Sequence, residues 1–292
     1  MQNIKIFKTV KWEDYELLDT GEGEKLERFG DYTFVRPYED AFWKKTLDKK
    51  IWNKANGEFL TSKESDKSGW RLKNKIENDF ILSLDNISWI SKPTPFRHLQ
   101  FFPEQRVHWE FIAQKIKQAK RPIKFLNLFG YTGVASLFAL SAGAEVVHVD
   151  ASKGSIDLAK ENQKLSKLND KPMRVIVDDV LKFLEREIKR GNKYDAIIMD
   201  PPKFGRGPKG ETWKIERDLP KLISLVERVL SPNPLFVILT SYAIESSSLS
   251  LGYSLENIKA KYGGNIEAGE MCIEESSSGR LISLANTAVW QK

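Results

Sequence analysis

This chain of 292 residues has almost no cysteine: Cys272 stands alone, which excludes an intrachain disulfide framework and suits a reducing compartment. Histidine is scarce as well. His98, His108 and His148 share no metal-ligand spacing, so no metal site is expected. No run of about 20 apolar residues could cross a bilayer, no N-terminal apolar stretch reads as a secretory signal, and no segment repeats. A soluble, intracellular chain is expected. Charge of one sign is not in large excess either: 46 Lys and Arg face 40 Asp and Glu, a net +6. That balance fits a nucleic-acid partner without demanding one. The length allows one large domain and a smaller companion.

The stretch that organises the rest is Lys124 to Gly133, K-F-L-N-L-F-G-Y-T-G, followed by V-V-H-V-D at Val146 to Asp150. An apolar strand ends at Gly130, Gly133 follows, and a helical pattern runs from Val134 to Ser141. Glycine permits the turn and leaves room for a ligand against the main chain, while the helix start offers unpaired N–H groups. Asp150 ends the next strand 20 residues after Gly130, the spacing at which a carboxylate reaches the ribose of a bound nucleoside. The glycines are spaced G-x-x-G, with Tyr131 and Thr132 between them, so the pyrophosphate fingerprint G-x-G-x-x-G is not met. Such a loop suits a nucleoside without phosphates, such as S-adenosylmethionine.

Residues 1–95 read as a small, mostly antiparallel β domain. Tyr15–Leu18, Tyr32–Val35, Phe80–Leu84 and Ile87–Ile90 are rich in β-formers, and Asp85-Asn86 joins the last two as a tight hairpin. The polar middle, Asn53 to Gly69, reads as a mobile loop. Six of the eight tryptophans precede residue 120. They could form a base-stacking platform beside Lys44, Lys45, Lys49 and Lys50, but no RNA-binding signature accompanies them, and an aromatic core is the simpler expectation. Residues 96–120 form a proline-marked linker and a lead-in helix with apolar spacing at Val107, Phe111, Ile112 and Ile116.

From 121 to 292 strands and helices alternate, which predicts an α/β domain with a mostly parallel sheet. Predicted helices run Lys153–Leu165, capped by Ser152, then Val180–Arg190, Ile215–Leu230 and Leu255–Tyr262. Predicted strands are Met173–Val177, Tyr194–Met199 and Leu235–Leu239. Two final strands, Ile266–Ile273 and Leu281–Trp290, are joined too tightly for a crossover and must be antiparallel neighbours.

A ligand in an open α/β sheet lies beyond the carboxyl ends of the strands. Those ends carry Gly130, Asp150, Asp178-Asp179 and Asp200. Asp150 is expected to take ribose hydroxyls, and Asp179 with the Val180 backbone the adenine edge; Asp178 reads equally well as a helix cap. Asp200-Pro201-Pro202-Lys203-Phe204 is the sharpest signal. Two prolines remove two donors and fix the chain direction, leaving carbonyls and a carboxylate to orient an acceptor or draw off a proton. The loop Gly205 to Lys214, with Arg206, Lys209 and Trp213, is expected to cover the substrate.

F-L-N-L-F-G-Y-T-G, V-D-A-S at Val149 to Ser152, V-D-D-V at Val177 to Val180 and D-P-P-K-F resemble the class I S-adenosylmethionine-dependent methyltransferases. More narrowly they resemble the bacterial large-subunit ribosomal RNA methyltransferases that make 5-methylcytosine or 7-methylguanine. The resemblance covers about Phe102 to Lys292. It implies a Rossmann-like, seven-stranded sheet with an antiparallel last strand, S-adenosylmethionine as cofactor and ribosomal RNA as substrate. It further implies cofactor contacts from Gln105, Asn127, Phe129, Gly130, Tyr131, Thr132, Gly133, Asp150, Ala151, Ser152, Asp178, Asp179, Val180 and Asp200, with Asp200, Pro201, Pro202 and Lys203 at the reacting end. The chain departs from the pattern in two respects: the N-terminal β domain does not show the RNA-binding module that some such enzymes carry, and a nucleophile is missing. Carbon-5 methylation of cytosine needs a cysteine nucleophile, and the stretch after the fifth strand, Thr240-Ser241-Tyr242-Ala243, has none. Transfer to a base nitrogen is therefore favoured. A protein or small-molecule methyltransferase, or a binding module without catalysis, stays open on sequence alone.

Overall fold

The computed structural model describes residues 3–61, 68–73, 76, 79–242 and 247–292; part of the polar stretch read as a loop, and Ala243, lie outside them. The chain divides into two compact units. One comprises Met1–Phe7, Val107–Met271 and Leu284–Lys292, the other Lys8–Arg106 and Cys272–Ser283.

After β1 (Lys5–Thr9), the smaller unit builds a five-stranded sheet from β2 (Tyr15–Gly21), β3 (Glu24–Phe29), β4 (Tyr32–Pro37), β5 (Gly57–Leu60) and β6 (Gly69–Leu72), with α1 (Lys49–Asn53) before β5. A separate hairpin pairs β7 (Phe80–Leu84) with β8 (Ile87–Ser91) through Asp85-Asn86, as the sequence predicts. Aromatic rings fill the interior: Tyr15 and Phe29 lie 5.2 Å apart, Phe29 and Phe34 5.9 Å, and Trp89 and Phe101 5.2 Å. Trp52 and Trp89 are buried, and Trp70 packs on Phe34 and Phe59, so these tryptophans are core. Glu27 is also buried, bonded by Arg36 at 2.7 and 2.8 Å and by the Tyr15 hydroxyl at 2.9 Å. Burial alone would raise the Glu27 carboxyl, but Arg36 and Lys25 prevail and hold it down at about 2.

The larger unit carries the alternating half. Its elements are α2 (Arg106–Ala119), β9 (Lys124–Leu128), α3 (Val134–Ser141), β10 (Glu145–Asp150), α4 (Lys153–Leu165), β11 (Met173–Val177), α5 (Val180–Arg190) and β12 (Ala196–Met199). A short hairpin of β13 (Phe204–Arg206) and β14 (Thr212–Lys214) follows. Then come α6 (Ile215–Val229), β15 (Phe236–Ser241), α7 (Ser248–Ser254), α8 (Glu256–Tyr262), β16 (Asn265–Glu274) and β17 (Leu281–Gln291). The sheet has eight strands in the order β1-β16-β17-β15-β12-β9-β10-β11. Strands β15, β12, β9, β10 and β11 are parallel, and β17 runs antiparallel to β15.

Several features differ from expectation: β3, α1 and α7 are not among the predicted elements, and β5 (Gly57–Leu60) forms within the stretch read as a loop, where it pairs with β4 and β6. The sheet gains an eighth strand because β1 adds at the edge beside β16, where Lys5 pairs with Glu267 at 2.9 Å and Gly269 has no side chain to hold it off. The predicted loop after Phe204 is a β-hairpin, anchored by a buried Trp213. The core on one face of the sheet gathers Leu126, Leu128, Val149, Met199 and Leu239 with Phe183, Leu222 and Val226 from the helices. The other face carries Asn127 and His148, which are register partners on β9 and β10.

Candidate active site

The chain runs from β9 outward to β10 and β11, then returns to place β12 on the other side of β9, so the strand order reverses at the β9–β12 boundary. A parallel sheet opens a crevice there, beyond the carboxyl ends. The register aligns those ends: Leu128 partners Val149 and Met199, and Asp150 partners Val177. Phe129, Asp150, Asp178 and Asp200 therefore stand in one row. With strands about 4.8 Å apart the row spans roughly 14 Å, enough for a nucleoside carrying an amino-acid arm.

The loop from Phe129 to Gly133 is strained. Phe129, Tyr131 and Gly133 take φ values of 57°, 50° and 86°, the left-handed region that non-glycine residues avoid. Its fastenings account for its persistence. The Gly130 N–H donates to the Val149 carbonyl at 3.0 Å, the Tyr131 N–H to Asp150 Oδ2 at 2.9 Å, and Asn162 Nδ2 to the Thr132 carbonyl at 2.9 Å. Beneath it lies a buried polar chain: Asn127 Nδ2 donates to Ser136 Oγ at 2.9 Å, and that oxygen lies 2.9 Å from His148 Nδ1. A Cβ on Gly130 would come within 2.3 Å of the His148 ring, so only glycine fits over this imidazole. Burial holds His148 down at about 4, which keeps it neutral at physiological pH. Asn127 is thus buried against α3 as a support for the loop. Ser136, His148 and Asn162 carry no spacing motif, and sequence reasoning missed them.

Asp150 accepts the Tyr131 N–H on Oδ2 and the Ser152 N–H at 2.8 Å on Oδ1, which keeps one lone pair on each oxygen for a ligand. Burial raises its carboxyl, and the two backbone donors offset part of that rise. Tyr131 is pushed up to about 12 by burial and by Asp150, and stays a neutral phenol. Ser152 caps α4 as predicted, accepting the Ser155 N–H at 3.2 Å, and Ala151 bridges the two.

At the end of β11 the two acids divide their work. Asp179 is the cap of α5, its Oδ1 accepting the Lys182 N–H at 3.0 Å, while Asp178 accepts the Asp179 N–H at 2.9 Å and pairs with Arg186. Val180 is the first residue of α5, so its N–H has no helical partner. At the end of β12, Asp200 is half-buried, Pro201 buried, and Pro202 and Lys203 exposed. The Pro202 carbonyl accepts from Trp213 Nε1 at 2.7 Å and the Lys203 carbonyl from the Ile215 N–H at 3.1 Å. These two carbonyls hold the hairpin instead of facing a ligand. Trp213 also packs on Phe129, ring to ring at 5.0 Å. Gln105 belongs to the smaller unit, buried in a 3-10 turn at Pro103–Gln105.

The donor set suits a cation with a diol. Four carboxylates ring the crevice and one is paired to arginine, an arrangement that repels phosphate and attracts a sulfonium. Among the described residues no group of three or more His, Cys, Asp or Glu could hold a metal ion. A cleft of about 550 Å³ opens at the amino ends of the central strands, by Lys124, Glu145 and Asp195. Asp195 there is taken up by Arg121, the Lys124 N–H and Ser231, and none of the glycine-loop or strand-end acids lines that cleft.

Comparison with known proteins agrees. Residues 107–267, more than half of the chain, match the family described as Conserved hypothetical protein 95. A solved S-adenosylmethionine-dependent methyltransferase from Agrobacterium tumefaciens is 41% identical, with 98% of this chain and 93% of that one covered at a TM-score of 0.93. The chain belongs to this methyltransferase family. The methyltransferase half also resembles two curated proteins. Ribosomal RNA large subunit methyltransferase K/L of Syntrophotalea carbinolica is 37% identical over 129 residues, 44% of this chain and 17% of that protein. Ribosomal RNA large subunit methyltransferase I of Aeromonas salmonicida is 40% identical over 105 residues, 36% of this chain and 26% of that protein. The matched part is thus about a quarter or less of these relatives' length.

Proposed function

We propose that this methyltransferase modifies a base of RNA, ribosomal RNA first, at a nitrogen and without a cysteine nucleophile. One observation carries the reading: Asp200 follows β12 directly beside the strained glycine loop of β9, and the single cysteine, Cys272, is buried on β16, three strands from β12 in the sheet. The names of the two curated relatives support ribosomal RNA as the substrate class.

Bound S-adenosylmethionine supplies an electrophilic methyl group. The loop from Phe129 to Gly133 holds its amino-acid arm, and Asp150, with Ala151 and Ser152 behind it, accepts the ribose hydroxyls. The Val180 N–H and the second oxygen of Asp179 face the adenine edge. Asp178, paired with Arg186, steadies that corner. Asp200 accepts a hydrogen bond from the acceptor base and orients its nitrogen, while Pro201 and Pro202 fix the direction from which Asp200 presents its carboxylate. Lys203, exposed at the mouth, meets a phosphate. No described helix is long and apolar enough to cross a membrane, and RNA modification implies work in the cytoplasm.

The test is methyl transfer from labelled S-adenosylmethionine to RNA and to soluble protein of a strain lacking the gene. Wild type should label RNA. Asp200→Ala should lose about 10²–10⁴-fold in rate while binding S-adenosylhomocysteine normally. Label confined to protein or small molecules would overturn the RNA reading, and 5-methylcytosine in the digest would overturn transfer to nitrogen.

A further inference from the structure

The segment 40–54 of the smaller unit lies along β2 as a strap, and its backbone is unusually well fastened. The Glu22 N–H donates to the Trp43 carbonyl at 2.7 Å, and the Gly23 N–H to the Ala41 carbonyl at 3.0 Å. The buried Asp19 carboxylate accepts the N–H groups of Thr46 at 3.0 Å and Leu47 at 2.8 Å, and Trp52 Nε1 at 3.0 Å. Trp43 Nε1 donates to the Thr20 carbonyl at 3.1 Å, and Arg280 reaches Thr46 Oγ1 at 3.2 Å. A Cβ on Gly21 would lie 2.5 Å from the Lys45 nitrogen, so β2 keeps a glycine where the strap presses on it.

Most of the apolar surface of the strap is covered or partly covered, Ile51 is 44% exposed, and one ring stands out further. Trp52 is buried, yet Phe42 is 89% exposed, more than any other large apolar side chain among the described residues. Around it in sequence stand five lysines against two aspartates. Lys45 is engaged with Glu24 and lies 4.0 Å over the Trp52 ring. Lys44, Lys49, Lys50 and Lys54 are exposed and make no ion pair among the described residues. Of the aspartates, Asp48 is spent as the cap of α1, leaving Asp40 as the exposed acid. Lys49 opens the five-residue α1 and Lys50 falls in its last turn, both exposed to solvent.

We infer that this strap grips single-stranded RNA, Phe42 stacking on an unpaired base while Lys44, Lys49, Lys50 and Lys54 meet phosphates. The inference rests on the RNA reading above and gives the smaller unit its task. A rigid backbone that presents an aromatic face amid unpaired cations combines the two contacts single strands use, stacking and phosphate neutralisation.

The test is fluorescence anisotropy with a short, unstructured, labelled RNA across a salt series. Phe42→Ala should weaken binding by roughly 5- to 100-fold. The triple change Lys44→Gln, Lys49→Gln and Lys50→Gln should lower the slope of log affinity against log salt by about 2, at some 0.7 per phosphate. In methylation assays both variants should raise KM for RNA and leave kcat. Thermal midpoint and calorimetric binding of S-adenosylhomocysteine should match wild type, since these side chains are exposed. Wild-type affinity and salt slope in both variants, with RNA still bound and methylated, would overturn the strap while the RNA reading stood. Wild type that neither binds nor methylates RNA would overturn both.

Discussion

Gly130→Ala isolates one contact. No positive φ is found at this position, so alanine is compatible with the backbone and the only obstacle is spatial. Its Cβ would sit 2.3 Å from Cε1 and 2.5 Å from Nδ1 of His148, distances that real carbon atoms do not adopt. The imidazole has little room to yield, since it is wholly buried and held by Ser136, which in turn holds Asn127. Either the ring leaves its place or the loop lifts by about an ångström. Overpacking of this kind costs about 1–3 kcal/mol, and a chain of this size loses roughly 2–4 °C of thermal midpoint per kcal/mol. Lifting the loop by that much also misplaces the ligand, at a cost of about 10²-fold in rate. Scanning calorimetry and titration with S-adenosylhomocysteine read the two effects separately. The double variant Gly130→Ala/His148→Ala should recover part of both, with a favourable coupling of about 0.5–3 kcal/mol. Wild-type midpoint and affinity in the single variant, or no recovery in the double, would refute the view that His148 sets the height of the loop.

Asp150→Asn should weaken S-adenosylhomocysteine binding by about 10- to 150-fold, the worth of a hydrogen bond to a charged group. Burial raises the Asp150 carboxyl, so its contribution to folding is complete only below its ordinary value and is lost as pH rises through the folded one. At neutral pH its charge burdens the ligand-free fold, so the variant's ligand-free midpoint should stay near wild type; equal losses of affinity and stability would contradict this. His98 and His108 are held down at about 3 and His148 at about 4, all chiefly by burial. Their neutral forms stabilise the fold above pH 6.5, the ordinary imidazole value, and that stability is lost as pH falls towards the folded values. Urea midpoints should therefore drop between pH 6.5 and 4.5, by up to about 1.4 kcal/mol per pH unit for each histidine. A flat profile there would sink the assignment; Glu27, held at about 2, matters only below that window. Gly269→Ala would put a Cβ 1.7 Å from the Lys5 carbonyl, so amide exchange in β1 should accelerate selectively, and unchanged protection would speak against the edge pairing. Trp213→Phe keeps a ring against Phe129 but removes the donor to the Pro202 carbonyl, so kcat should fall while S-adenosylhomocysteine affinity holds; a loss confined to affinity would be the contrary result.

What the sequence revealed and concealed follows the physics of each element. Helices α3, α4 and α5 and strand β11 match their predicted bounds to the residue: Ser152 and Asp179 are true caps, and β11, though an exposed edge strand, is rich in β-branched residues. Strand β3 was missed for the opposite reason. Four of the six residues from Glu24 to Phe29 are charged, yet Lys25 and Glu27 are buried inside an ionic cluster with Arg36, and no alternation of polarity survives to mark the strand. Strand β1 escaped because its partner β16 lies some 260 residues away, beyond any local signal. That Asp150, Asp178 and Asp200 stand at strand ends was legible in the sequence, but adjacent Asp178 and Asp179 could not be told apart. Which carboxylate caps and which pairs with Arg186 depends on backbone angles that the letters D-D do not carry.

The strain at Phe129 and Tyr131 was least accessible of all, since neither residue type advertises a left-handed backbone. Each such residue costs about 1–2 kcal/mol, and the cost is tolerated where surrounding bonds over-determine the loop. Here they come from three directions: Val149 and Asp150 on β10, Asn162 on α4, and Trp213 on the hairpin. The last connection has a consequence for chemistry. Phe129 packs on the indole whose N–H holds the Pro202 carbonyl, so the loop assigned to the cofactor and the Asp-Pro-Pro turn assigned to the acceptor share one side chain. A glycine at position 129 would relieve the strain and sever that link. On the proposed assignment, the bulky residue ties the donor half of the site to the acceptor half, at a distance that in-line transfer cannot let drift.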